Sequence, residues 1–114
     1  MARAKVSDGK SVKVTATKAI TNGDFVVEAG FHGFAFQDAA SGEEVVLDID
    51  LAEFEFTLAG VTVGDVIYYD GTNLTLSADD GGSPATSYRP VIRATTDSDA
   101  NDVVWGVLLP QVGA

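Results

Sequence analysis

Apolar and polar residues alternate along most of this chain with the period of a half-buried β-strand. Val12, Val14 and Ala16 interleave with Lys13, Thr15 and Thr17, which places one face inward and one outward. Thr21-Asn22-Gly23-Asp24 reads as a turn, because Asn-Gly supplies positive φ, and Phe25-Val26-Val27 follows as a second strand. Ala29-Gly30 turns again into a third strand carrying Phe31, His32, Phe34 and Phe36. Leu74-Thr75-Leu76-Ser77, Val91-Ile92-Arg93-Ala94 and Val103 to Leu109 supply later strands, and Pro110, which lacks an N–H for the ladder, ends the last one. Asp79-Asp80-Gly81-Gly82-Ser83-Pro84 reads as an exposed loop and Thr95 to Asp102 as a polar, turn-like segment. No amphipathic helix is readable. The pattern predicts an all-β fold, a small single-domain β-barrel or sandwich over residues 11–114. Residues 1–10, small and charged with a turn at Asp8-Gly9, form a short flexible arm before it.

Two features go beyond simple alternation. Between Glu43 and Leu58 the inward set runs Val45, Leu47, Ile49, Leu51 and then Phe54, Phe56, Leu58. The parity changes from odd to even, which a pleated strand achieves only through an extra residue, so a bulge or corner falls near Leu51-Ala52. Such a corner lets one long strand wrap a small barrel or pass between packed sheets. The second feature is a recurrence. Ile20-Thr21-Asn22-Gly23-Asp24-Phe25-Val26 aligns with Val61-Thr62-Val63-Gly64-Asp65-Val66-Ile67. Two matches are too few for a repeat array and fit a pseudo-duplicated hairpin within one barrel.

Composition narrows the class. A 114-residue chain that is 46% hydrophobic has enough apolar surface for a core and is not of the disordered type. It has no cysteine, so the fold needs no disulfide and thiolate chemistry is excluded. No signal-type apolar segment follows the first charges, and no apolar run reaches the length of a membrane span. The net charge of −10 is unevenly placed. Residues 1–18 hold Arg3, Lys5, Lys10, Lys13 and Lys18 against Asp8 alone, whereas every later cation, Arg89 and Arg93, stands among sixteen carboxylates. The acidic body repels nucleic acid and anionic membrane. The basic arm suits an acidic protein surface, including the body of a neighbouring copy.

Candidate chemistry is sparse. Gly9-Lys10-Ser11 resembles the end of a phosphate loop, but Ala4 stands where its first glycine belongs. Asp97-Ser98-Asp99-Ala100-Asn101-Asp102 imitates the start of a calcium loop, yet Asp102 replaces the glycine and Leu108 the bidentate glutamate. Asp48, Asp50, Glu53 and Glu55 are expected along one strand, alternating with apolar residues, the pattern of a solvated face rather than of two acids across a cleft. His32 is the only histidine; no nitrogen or thiolate partners exist for a metal site, no Gly-x-Ser-x-Gly turn exists for a triad, and a structural role beside Phe31 and Phe34 fits it best. The aromatic residues Phe25, Phe34, Phe36, Phe54, Phe56, Tyr69 and Trp105 are expected mostly in the core. Adjacent Tyr68 and Tyr69 face opposite ways in a strand, and either Val104 or Trp105 points outward, which makes Tyr68 and Trp105 candidate interface aromatics. No catalytic, cofactor or metal residue emerges, and the chain reads as non-enzymatic.

The order of these elements resembles the capsid cement or decoration proteins of tailed phages. The elements that carry the likeness are Gly23-Asp24-Phe25-Val26, His32-Gly33-Phe34-Ala35, Ala40-Ser41-Gly42-Glu43, Gly64-Asp65-Val66-Ile67-Tyr68-Tyr69-Asp70 and Trp105-Gly106-Val107, within Val12 to Leu109. Tyr69 stands where tryptophan is common. The resemblance implies a β-rich structural virion protein, made in the host cytoplasm, that binds the outside of an expanded capsid through the major capsid protein and assembles as a homotrimer. No cofactor, nucleic acid or membrane enters this picture. Arg3, Lys5, Lys10 and Lys13 are the expected contacts to shell or neighbouring subunit. A carbohydrate- or cell-surface-binding β module on a phage particle is the alternative, and a small hydrolase around His32 or paired acids a third class.

Overall fold

The computed structural model of the protein describes residues 9–111. Among these residues there are nine strands and no helix, so the fold is all-β. The strands are β1 (Ser11–Thr15), β2 (Phe25–Glu28), β3 (Phe31–Ala35), β4 (Glu44–Asp48), β5 (Glu53–Thr57), β6 (Val66–Tyr69), β7 (Leu74–Thr75), β8 (Arg89–Ala94) and β9 (Val103–Leu108). They form two compact units that meet at Asp50 and Leu51 in the sequence. The first carries a four-stranded antiparallel sheet in the order β1-β4-β3-β2, the second a five-stranded one in the order β5-β9-β8-β6-β7.

The parity change between Val45 and Phe56 is realised as a break. β4 and β5 are separate strands in separate sheets, and residues 49–52 connect them. Val45 and Leu47 are fully buried and Phe56 is buried, as the alternation requires, but Leu51 is 60% exposed. The odd register therefore stops with the strand, and Leu51 belongs to the connection. Phe36 corrects the sequence reading in the same way. It lies one residue beyond β3 and is 55% exposed, while Phe34 and Ala35 are buried.

The core of the first unit gathers Val14, Ala16, Ile20, Val26, Ala35, Ala39, Val45 and Leu47. In the second, Phe56, Val61, Ile67, Val91, Ile92, Ala94, Val104 and Leu108 are buried. Each fully buried Leu or Ile contributes about 1.5–3 kcal/mol relative to exposure.

The recurrence seen in the sequence extends well past one hairpin. In the first unit Gly23 N–H donates to Ala35 O and Ala35 N–H to Asp24 O, both at 2.9 Å; in the second Gly64 N–H donates to Ala94 O and Ala94 N–H to Asp65 O, again at 2.9 Å. The Asp24 carboxylate accepts Thr21 N–H at 2.9 Å and the Asp65 carboxylate accepts Thr62 N–H at 2.9 Å. Gly23 and Gly64 have φ of 92° and 91°, a conformation that disfavours any residue with a Cβ. At the opening strands Ala16 N–H donates to Glu43 O and Leu58 N–H to Asp102 O, each at 2.8 Å. Thus β1, β2, β3 and β4 correspond to β5, β6, β8 and β9, and the two sheets share one order of equivalent strands.

Side chains follow the shared backbone only loosely. Ile20 and Ala39 exchange two backbone hydrogen bonds; at the equivalent place Ser98 N–H still donates to Val61 O at 3.0 Å, but Val61 N–H donates to the Ser98 hydroxyl at 2.8 Å. Large and small residues also trade places. Gly33 and Leu47 on β3 and β4 correspond to Ile92 and Gly106 on β8 and β9. A Cβ on Gly33 would fall 2.3 Å from the Asp48 carbonyl oxygen, and one on Gly106 would fall 2.5 Å from Ile92 Cγ2. In the second unit the bare Gly106 makes room for Ile92, whereas in the first the bare Gly33 lets the Asp48 backbone come close. The second unit also differs at its hairpin tip. Two residues, Ala29 and Gly30, join β2 to β3, whereas residues 70–88, with β7 among them, join β6 to β8, and a bulge falls between Ile67 and Tyr68.

Candidate assembly surface

Because β5 and β9 pair antiparallel with Glu55 opposite Trp105 and Glu53 opposite Val107, these side chains stand on one face of the second sheet. Val104 points the other way and, like Gly106, is buried, while Trp105 is 48% exposed. The strand alternation thus resolves the sequence alternative in favour of Trp105 outward. Three hydrogen bonds fix it. Its indole Nε1 donates to Glu55 Oε1 at 3.0 Å, its backbone N–H donates to Thr96 Oγ1 at 3.0 Å, and its carbonyl accepts Thr95 N–H at 2.8 Å. The Thr95 hydroxyl in turn donates to Glu53. An open groove of about 310 Å³ runs among Glu53, Phe54, Glu55 and Trp105. A second of about 300 Å³ is bounded by Glu55, Thr96, Asp97, Asp99, Val103 and Trp105. An indole held in place beside carboxylates is a preorganised surface for a cation or for a sugar ring, since ordering costs little on binding.

The other residues singled out from the sequence lie elsewhere. Arg3 and Lys5 fall outside the described residues. Lys10 and Lys13 are exposed at and before β1 in the first unit. Tyr68 and Tyr69 on β6 are both half-buried. The sequence did not single out Glu55 as Trp105's partner, because they are fifty positions apart in the chain and only the β5–β9 register brings them together.

The sites weighed for catalysis have structural surroundings. His32 is fully buried and its ring stacks on Phe25 with centroids 6.4 Å apart. Among the described residues no three His, Cys, Asp or Glu side chains converge as metal ligands. Asp99 of the calcium-like segment accepts the N–H groups of Asn101 and Val103 at 2.8 and 2.9 Å, which makes that segment a self-capped turn. Glu28, buried near Thr17, accepts the Thr17 N–H at 3.0 Å and shares the single Thr17 hydroxyl proton between its two oxygens, at 2.9 and 3.0 Å. Arg89 is buried at the start of β8, and desolvation lowers its pKa. At the long hairpin tip, backbone N–H groups of Asn73 and Thr72 hold the Asp70 carboxyl below its ordinary range, and those of Thr86 and Gly82 do the same for Asp80.

No curated protein matches the chain. A protein-family model described as phage cement protein matches residues 6–109, nearly the whole sequence and both units. This chain belongs to the phage cement protein family.

Proposed function

We propose that this protein binds the outside of an expanded phage capsid, contacts the major capsid protein, and stabilises the shell without catalysing a reaction. The match of residues 6–109 to the cement family is the observation that carries the reading, and it gives the chain a structural role in the phage capsid. The physical features agree with that role. Two small antiparallel sheets with an acidic body and a basic N-terminal stretch offer surfaces for a shell and for neighbouring copies. Many copies on one lattice gain avidity from modest individual contacts, and preference for the expanded shell stabilises that state by mass action. In this reading Arg3, Lys5, Lys10 and Lys13 grip the shell or an adjacent subunit, the protein sits on the virion exterior after synthesis in the host cytoplasm, and copies form a homotrimer.

Co-sedimentation with undecorated heads tests it. Saturable binding to expanded heads and none to unexpanded proheads is the expected result; binding to neither overturns it. Removal of residues 1–10 is expected to abolish binding, and unchanged binding would take the arm out of the contact. The exposed Trp105 favours one other reading, a glycan-binding module, whose signature is saccharide-dependent quenching of Trp105 fluorescence.

A further inference from the structure

The correspondence of the two units places opposite charges at matching positions. Lys13 on β1 lies opposite Val46, and Glu55 on β5 lies opposite Trp105. These are equivalent sites, as are Ser11 and Glu53. Among the described residues β1 pairs only with β4 and β5 only with β9, so both are edge strands. One edge is flanked by exposed Lys10 and Lys13, the other by exposed Glu53 and Glu55 beside the half-exposed Trp105.

We propose that the Glu53–Glu55–Trp105 face of one copy seats cationic side chains from the basic segment, residues 1–18, of a second copy. The inference deepens the assembly part of the reading above by naming how copies meet. The seat has the chemistry for it. A lysine or arginine laid over the indole gains a cation–π contact, and the flanking carboxylates neutralise its charge. The Trp105 Nε1 bond to Glu55 keeps the ring from turning away. Asp97 and Asp99 add negative charge along the neighbouring groove. The cation on this face, Arg93, is engaged by the Gly64 carbonyl, to which its Nη1 donates at 2.8 Å. The groove beside Trp105, about 310 Å³, has room for a long side chain. The occupant follows from charge: residues 1–18 carry five of the seven cations in the chain and the rest of the chain sixteen of its seventeen acids. Seat and occupant are different surfaces, so the contact is head-to-tail, the kind that closes into a ring when the rotation permits.

Trp105 is the sole tryptophan, so its fluorescence reports on the seat directly. The experiment follows the mass of the full-length protein by sedimentation velocity, and acrylamide quenching of Trp105, from low micromolar to millimolar concentration. Mass is expected to rise and quenching to fall together, and added salt is expected to reverse both. Lys10→Glu with Lys13→Glu, and separately Glu53→Lys with Glu55→Lys, should each weaken association about tenfold or more. All four changes in one chain should recover the ion-pair part of the loss, so that it associates more tightly than either double variant. These side chains are exposed, and far-UV circular dichroism checks that each variant is folded. A protein that stays monomeric throughout overturns the proposal. So does association that leaves Trp105 equally open to acrylamide, protection that is independent of concentration, or a fourfold exchange no tighter than either double variant. Head binding measured on the same variants separates the two readings. Association without head binding sinks decoration alone, whereas head binding with Trp105 still open to quencher sinks the seat alone.

Discussion

Ala29 has φ of 52° and precedes Gly30 at 86°, which makes the β2–β3 connection a two-residue turn with both central residues left-handed. Alanine bears a Cβ penalty there that asparagine largely escapes. Ala29→Asn is therefore expected to stabilise the protein by about 0.5–1 kcal/mol, read as a higher urea midpoint; an unchanged or lower midpoint would refute the strain argument. Asp70 and Asp80 make a second residue-scale case. Both carboxyls lie below their ordinary value of 3.8 when folded, because backbone N–H groups bond the charged form. A depressed folded pKa gives stability that is complete above the unfolded pKa and disappears as pH falls through the folded one. Acid titration below pH 3.8 should thus loosen the β6–β8 connection, and Asp70→Asn with Asp80→Asn should flatten that limb of the stability curve. Local alternation revealed much at this scale, including the buried side chains of Val45, Leu47 and Phe56. It failed for Phe36 and Leu51, because a period of two distinguishes the faces of a strand and does not say where the strand stops.

The recurring element is the turn in which an aspartate caps the N–H three residues before it and a glycine bonds the neighbouring strand. Asp24 and Asp65 make the same bonds at the same 2.9 Å. Alanine at either position is expected to cost about 1 kcal/mol, and closely similar losses at the two sites in urea titrations would mark them as equivalent. A loss at one site only would show that the geometry is shared but the energetics are not. The sequence disclosed this pair because the turn demands particular side chains. It concealed the larger correspondence of β1 with β5 and β4 with β9, since a ladder is made by backbone groups that any residue carries. Glu44-Val45-Val46-Leu47-Asp48 and Val103-Val104-Trp105-Gly106-Val107 share a register with few side chains in common. The exchange of bulk between Gly33/Leu47 and Ile92/Gly106 conceals it further. The Trp105–Glu55 pair was out of reach for a related reason: alternation put one of Val104 and Trp105 outward, and only strand pairing supplied the neighbour.

For the whole chain, charge segregation and family membership bear on assembly more than on chemistry. If copies bind the expanded shell and not its precursor, free protein at a hundred times Kd adds about 2.7 kcal/mol per occupied site. Expanded heads with saturating protein should then rupture at a higher temperature than bare ones, with proheads unaffected; equal rupture temperatures would separate attachment from stabilisation. The unequal hairpin tips carry a consequence of another kind. One and the same corner of the sheet is spanned by Ala29-Gly30 in the first unit and by residues 70–88 in the second, so this corner accepts cargo of very different length. The closure cost of added chain rises only slowly with its length. A foreign epitope spliced between the exposed Ala29 and Gly30 would leave the strand ladder intact and, if copies coat the shell as proposed, turn the particle into a dense peptide-display scaffold.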